Sequence, residues 1–376
     1  MEPVVVIGAG PAGLAVAAAL KQAGVDALVV DRGSAVGSSW RGHYDRLHLH
    51  TSRRLSKLPG LDIPREYGTW VSRDHVISYL EAYAQHHALR IQLGVAVDRI
   101  DRIDDGWRLA TSAGPIDAAR LVIATGYNHT PLLPAWPGRD TFRGELIHAS
   151  RYRNPEPYRG RDVLVVGAGN TGAEIAVDLV EGGAAKVRLS FRTPPNVLRR
   201  SLGGVPSQAI AIVLRRLPTK VVDPVVTFVQ RLAVGDLSRY GLPPAPVGPY
   251  TQIVEDGRIP ILDVGFIDAV KRGQVEVVKA VERFDGDQVV LADGTRVAAD
   301  AVIAATGYVR GLEAMVGHLG LLDRRGLPVV HGAETHASAP GLYFIGYTNP
   351  VSGNFREVGI DARKIARALG RAARAA

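Results

Sequence analysis

The 376-residue chain contains no cysteine. That excludes disulfide scaffolds, thiolate zinc sites, iron–sulfur clusters, cysteine nucleophiles and the dithiol pairs that relay electrons in some redox enzymes. No metal centre is expected. Long apolar runs are missing as well: the longest, over 12–20, 121–124 and 209–214, stop well short of the ~20 residues that a membrane-spanning helix needs. Residues 3–7 run straight into a strand, leaving no room for a basic, cleavable leader. A soluble, cytoplasmic protein without a transmembrane segment is therefore expected. Dense basic runs are lacking too, because the net charge of +8 comes mostly from scattered arginine. It reads as solvated surface, with no nucleic-acid partner. The 42 glycines follow no collagen period and no long polar tract interrupts the chain, so fibrous and disordered classes drop out.

What is present is a nucleotide-binding unit, twice, in a chain long enough for two domains of about 150 residues. A strand over 4–7 leads into Gly8-Ala9-Gly10-Pro11-Ala12-Gly13, a helix to about Ala23 and a strand over 27–30 that ends at Asp31. Gly8 makes the tight turn, Gly10 admits a pyrophosphate to the backbone, and Gly13 lets helix and strand approach. The helix N-terminus offers free amides to the phosphates, and Asp31 stands where a carboxylate accepts from a ribose. The unit recurs as a strand over 162–166, the turn Gly167-Ala168-Gly169-Asn170-Thr171-Gly172, a helix over 173–181 and a strand over 187–191. This copy ends in Arg192 and Thr193. A carboxylate there would repel a 2′-phosphate, whereas a guanidinium pairs with it. The first site reads as FAD or NAD, the second as NADPH.

Short strands over 90–97 and 107–110 precede a buried strand over 121–124 that ends in Ala124-Thr125-Gly126. A strand over 301–304 ends likewise in Ala305-Thr306-Gly307, after a hairpin of 288–291 and 295–297 turned by Asp293-Gly294. Each half thus carries one nucleotide unit and one ATG ending. The fold class is α/β, with two Rossmann-like dinucleotide-binding domains. Residues 193–250 hold interrupted helical runs over 208–216 and 221–232, whose apolar faces could pack on the second domain, cover a cavity, form a dimer surface or lie on a membrane. A strand over 341–346, a polar loop over 349–356 and a helix over 357–369 close the chain.

Paired nucleotide units with ATG endings resemble the flavoproteins in which an NADPH domain is inserted into an FAD domain. Phe142, Gly144, His148 and Tyr152 match the FxGxxxHxxx(Y/F) identifying sequence of flavin-containing monooxygenases. Within that family, Asp45-Arg46-Leu47-His48-Leu49-His50, Leu58-Pro59, the 241–248 region and Leu262-Asp263-Val264-Gly265 are similar to the YUCCA-type indole-3-pyruvate monooxygenases. Tyr127 departs from them, standing where the plant enzymes usually carry Glu. The resemblance implies an FAD domain over 1–155 and 311–376, and an NADPH domain over 156–310 with a helical insertion at 193–250. It implies NADPH- and O2-dependent oxygenation of a small organic substrate through a C4a-(hydro)peroxyflavin, with oxidative decarboxylation of an aryl pyruvate as one outcome. N- or S-oxygenation and uncoupled NADPH oxidation are the alternatives, and a homodimer is possible.

Carried onto this chain, the FAD-side residues are Gly8, Gly10, Pro11, Ala12, Gly13, Asp31, Arg32, Gly37, Ser39, Trp40, His50, Thr51, Val95, Ala124, Thr125, Gly126, Asn128 and Asn349. Those for NADPH and its approach are Gly167, Gly169, Asn170, Thr171, Gly172, Arg192, Thr193, Ala305, Thr306 and Gly307. His50 is the candidate catalytic residue, an imidazole able to bond the flavin edge or hold a proton.

Overall fold

The computed structural model describes residues 1–215 and 217–375. The chain folds as two compact units, one of Met1–Gly42, Thr51–Thr130 and Tyr308–Ala376, the other of His43–His50 and Pro131–Gly307.

In the first unit, Glu2–Ile7 pairs in parallel with Leu28–Asp31 and with Ile116–Ile123. The seven-stranded sheet runs Arg90–Leu93, Leu28–Asp31, Glu2–Ile7, Ile116–Ile123, Gly106–Thr111, Val97–Ile103, with Leu342–Phe344 added beside Ile116–Ile123. The central strands are apolar without alternation because both faces are covered, and Val5, Val6, Val29 and Val122 are fully buried. Pro11 opens the Pro11–Gln22 helix, where its missing N–H costs nothing. The alanines that follow let this helix lie close to the Asn354–Ala375 helix. Two expectations shift here. The strand foreseen over 90–97 stops at Leu93 because Gly94 turns the chain at φ +73°. The loop foreseen over 349–356 is shorter, since the C-terminal helix already starts at Asn354.

The second unit is built on an all-parallel sheet in the order Val275–Val278, Lys186–Ser190, Asp162–Val166, Ala301–Ala304, Glu145–His148. A three-stranded antiparallel sheet, Val281–Asp285, Gln288–Leu291 and Arg296–Ala298, adds its own small core around Phe284. The boundaries differ from 155 and 310. Glu145–His148 pairs residue for residue with Ala301–Ala304, which draws the chain from Pro131 onward into the second unit. His43–His50 also belongs there, as an excursion from the first nucleotide unit.

The insertion forms helices Ser207–Leu214, Thr219–Val234 and Pro249–Asp256; Arg216, expected to end the first, lies outside the described residues. Among the described residues no helix is long and apolar enough to cross a membrane, and no acidic or histidine cluster could hold a metal ion.

Candidate active site

The two glycine turns are held by the same physical constraint. Gly8 sits at φ +113°, and a Cβ there would lie 2.4 Å from the Ala124 carbonyl oxygen; Gly167, at φ +119°, would meet the Ala305 carbonyl oxygen at 2.3 Å. Each GxGxxG therefore presses against the first residue of an ATG, and so the two patterns recur together. Gly13 and Gly172 are tighter still, with an added Cβ 1.8 Å from Gly8 O and 1.9 Å from Gly167 O. Gly10 and Gly169 have nothing within 4 Å on that side. They cap the Pro11–Gln22 and Asn170–Glu181 helices without any side-chain acceptor. Each helix thus presents uncapped amides, partially positive, to an open cradle.

Around the first cradle, Asp31 accepts from Ala9 N at 2.6 Å and Gly33 N at 2.7 Å. A carboxylate has about four acceptor positions, so both oxygens retain capacity for a ribose. Gly37 turns at φ +70° and donates to Ala9 O, ahead of the exposed Ser39 and of Trp40, which packs edge-on against Phe355 at 5.8 Å. Val95 is buried and donates to Asp31 O. Thr125 bonds through both N–H and hydroxyl to Tyr347 Oη, at 3.2 and 2.7 Å. Burial drives the Tyr347 pKa upward, so it stays a neutral phenol. Gly126 has a left-handed φ of +94°, Thr51 bonds Ser56, Arg32 and Asn128 are exposed, and Asn349 is half-buried.

The second cradle departs from expectation at Asn170. Its amide donates to Pro260 O at 3.0 Å and accepts from Leu262 N at 2.7 Å, so the side chain pins a neighbouring loop rather than standing free for a ligand. Arg192 and Thr193 follow strand Lys186–Ser190 and are exposed; Arg192 makes no ion pair among the described residues. Arg199, by contrast, is held by Asp263 at 2.8 Å. Thr306 donates to Leu132 O, and Gly307 takes φ +83°.

His50 is placed by a buried carboxylate. Its unit is the second one, and its Nε2 lies 2.7 Å from Glu174 Oε1 on the Asn170–Glu181 helix. This is an ion-pair distance without a well-aligned hydrogen bond, and Nδ1, also buried, has no hydrogen-bond partner among the described residues. Tyr44 donates to Glu174 Oε2 at 2.9 Å, and burial, reinforced by Glu174, pushes its pKa well up. One turn on, Tyr152 donates to Asp178 at 2.7 Å, and Arg46 pairs with Asp178 and Glu181. Glu174, Asp178 and Glu181 are spaced i, i+4, i+7, so they share one helix face. The 43–50 excursion, with Tyr152, satisfies that face. Burial raises the Asp178 carboxyl, against Tyr152 and Arg46; it lowers the Arg200 guanidinium, against Glu174 and Asp263.

The Phe142 ring packs against Phe284, with centroids 5.1 Å apart, and Gly144 has no room for a Cβ beside that ring and Asp300 O. His148 Nε2 donates to Gly307 O at 3.0 Å while Nδ1 accepts from Ser150 N.

Residues 5–201 match the family described as pyridine nucleotide-disulphide oxidoreductase. Indole-3-pyruvate monooxygenase YUCCA1 of Oryza sativa subsp. japonica is 37% identical over 350 residues, covering 92% of this chain and 86% of that protein. A solved double mutant of a flavin monooxygenase from Stenotrophomonas maltophilia is 25% identical, with a TM-score of 0.77, over 99% of this chain and 100% of that one. Cyclohexanone monooxygenase, at 19% identity and TM-score 0.76 over 99% of this chain and 88% of that one, shares the fold. The chain belongs to the flavin-containing monooxygenase family. It is an FAD- and NADPH-dependent oxidoreductase by that membership, and its two open, uncapped cradles fit the paired dinucleotides.

In this flavin-containing monooxygenase, Tyr44, Tyr347, Glu174 and Asp178 belong to no sequence motif, yet the structure joins them to these networks. The signal for the last two was present, an acidic row on a helix otherwise buried, which demands partners. His148 carries a pH prediction. Burial pulls its pKa below the ordinary histidine value, against the Gly307 hydrogen bond. The unfolded chain therefore takes up the proton first. The stability contributed by neutral His148 is complete above about pH 6.5 and is lost as pH falls through that value toward the lowered one. Melting temperature is expected to decline across that interval, and less steeply in His148→Gln, which can still donate to Gly307; identical slopes would remove His148 as the cause.

Proposed function

We propose that this monooxygenase uses NADPH and O2 to decarboxylate an aryl pyruvate oxidatively, with indole-3-pyruvate as the leading substrate. The observation that carries the reading is the pair of cradles with opposite endings, Asp31 at one and an unpaired Arg192 at the other, in a chain without cysteine. Reducing equivalents accepted from NADPH have no thiol pair to enter, which leaves dioxygen as the natural acceptor. FAD, when bound, supplies the two-electron chemistry that links NADPH to O2. In the overall reaction one oxygen atom enters the substrate, whose C1–C2 bond breaks to release CO2; the other leaves as water.

The protein's own residues do the holding. Gly8, Gly10 and Gly13 with the uncapped Pro11–Gln22 helix would take the FAD pyrophosphate, and Asp31 its ribose. Gly167, Gly169 and Gly172 would take that of NADPH, with Arg192 on the 2′-phosphate. His50, with Nε2 against Glu174, keeps Nδ1 as the ring atom that can hold or release a proton. The aryl pyruvate itself follows from likeness to the indole-3-pyruvate monooxygenases.

The test measures oxygen-dependent NADPH oxidation with indole-3-pyruvate, phenylpyruvate, a tertiary amine and a thioether, and hydrogen peroxide alongside. Coupled turnover of the aryl pyruvates is expected. Peroxide equal to NADPH consumed for all four, or coupling only with the amine or thioether, would overturn the proposal. Arg192→Ala is expected to raise the Kd for NADPH about 10- to 100-fold while changing that for NADH little, as for one lost charge-assisted contact. Equal loss for both cofactors would show that the 2′-phosphate is read elsewhere.

A further inference from the structure

Glu174 is a buried carboxylate, 3% exposed, on the Asn170–Glu181 helix, and its two oxygens differ in their partners. Oε2 accepts the Tyr44 O–H at 2.9 Å. Oε1 has His50 Nε2 at 2.7 Å but no well-formed hydrogen bond among the described residues, and the buried His50 Nδ1 has none either. A carboxylate this deep keeps its charge only through its partners, so the Tyr44 hydrogen bond and a proton on His50 are two ways of satisfying the same group. Its other charged neighbours are engaged elsewhere. Arg46, from the 43–50 excursion, pairs with Asp178 and Glu181, and Arg200 faces Asp263 as well.

Tyr44 also reaches the nucleotide turn. Its oxygen has the Thr171 hydroxyl as a second hydrogen-bonding neighbour. Thr171 stands in the 167–172 turn and in the first turn of the helix, where its spacing of i, i+3 from Glu174 sets both on one face. Tyr44, His50, Thr171 and Glu174 all lie in the second unit. Burial keeps the Tyr44 phenol protonated, so it has a single proton to place, on Glu174 or on Thr171. Thr171 is under the same constraint, since its hydroxyl donates once. An anionic phosphate is a stronger acceptor than a neutral phenol oxygen.

We propose that Tyr44 is a positioning residue that links occupancy of the second cradle to the protonation of His50. With a dinucleotide in the cradle, the Thr171 hydroxyl donates to a phosphate oxygen, and Tyr44 turns its O–H from Glu174 to the Thr171 oxygen. Glu174, short of one donor, then draws a proton from solvent onto His50 Nδ1, with Nε2–H held against Oε1. That N–H is the one covalent bond formed; every other change is a hydrogen bond. The inference rests on the cofactor assignment under the proposed function and on no particular substrate.

The test is calorimetric titration of NADP+ into the FAD-loaded, full-length protein in buffers of different ionisation enthalpy, which counts the protons bound with each dinucleotide. His50→Gln supplies the baseline, because it retains any proton exchange of the 2′-phosphate itself. Wild type is expected to take up about 0.3 proton or more above that baseline at roughly pH 7, so its Kd for NADP+ rises with pH relative to that of His50→Gln. Tyr44→Phe keeps the ring that packs on Tyr152 and is expected to fall to the baseline, because Glu174 lacks the donor before NADP+ arrives. Thr171→Val is expected to do the same, with Tyr44 left on Glu174. Excess uptake that persists in either variant, or that is absent from wild type, would overturn the proposal. No turnover is measured, so failure of the aryl pyruvate reading would show in the coupling assay alone and leave this result standing.

Discussion

Gly13→Ala is expected to give protein that no longer retains FAD, and Gly172→Ala protein that retains FAD but is no longer reduced by NADPH. The reasoning is steric. An alanine methyl at 13 would lie 1.8 Å from Gly8 O, and one at 172 would lie 1.9 Å from Gly167 O. Both obstacles are backbone atoms of the turn that forms the cradle, so no side-chain rotation relieves them. Backbone displacement of that kind costs about 1–3 kcal/mol or more, enough to open the cradle. Each substitution acts within its own compact unit. The separation is measurable: flavin absorbance after gel filtration reports the first site, and anaerobic bleaching by NADPH the second. Loss of flavin from Gly172→Ala, with Gly13→Ala unaffected, would reverse the assignment of cofactors to cradles.

For His50→Ala, coupled turnover is expected to fall about 10²-fold, the usual scale for a positioned proton-transfer group, while bound FAD and its anaerobic reduction by NADPH persist. Released peroxide should rise in proportion. Glu174 is 3% exposed and holds both His50 and Tyr44, so Glu174→Gln should move coupling in the same direction by a smaller factor. The Gln side chain can still accept from Tyr44, but it lacks the charge that draws the imidazole. Unchanged coupling in His50→Ala would confine the imidazole to anchoring the 43–50 excursion. Because that excursion packs on the Asn170–Glu181 helix, His50→Ala is also expected to raise the NADPH Kd severalfold more than that of FAD, which titration of quenched protein fluorescence can resolve.

Both nucleotide turns were legible from residues alone, because their glycines answer a local demand. A chain that must turn at positive φ and let a phosphate approach has no other residue to use, and Gly8, Gly10, Gly13 and their counterparts stand at those positions. The parallel sheets were legible for a similar reason, since strands covered on both faces read as unbroken apolar runs. Charge at the strand ends is equally local: an acid, Asp31, closes the first unit, and a guanidinium, Arg192, follows the second.

Other features depended on pairings across long sequence separations, which no local pattern encodes. The first unit ends its opening segments at Thr130 rather than near 155 because Glu145–His148 finds its hydrogen-bonding partner at Ala301–Ala304, more than 150 residues away. His50 sits six residues from Tyr44 in a histidine-rich stretch, yet its environment is set by Glu174, a carboxylate that burial obliges to find partners. The Asn170 side-chain amide is engaged by Pro260 and Leu262, partners 90 and 92 residues away. Sequence determined which backbone turns and charges exist, since these follow from the residue at each position. Tertiary structure alone decided which buried polar groups face one another, since that is fixed by where distant segments meet.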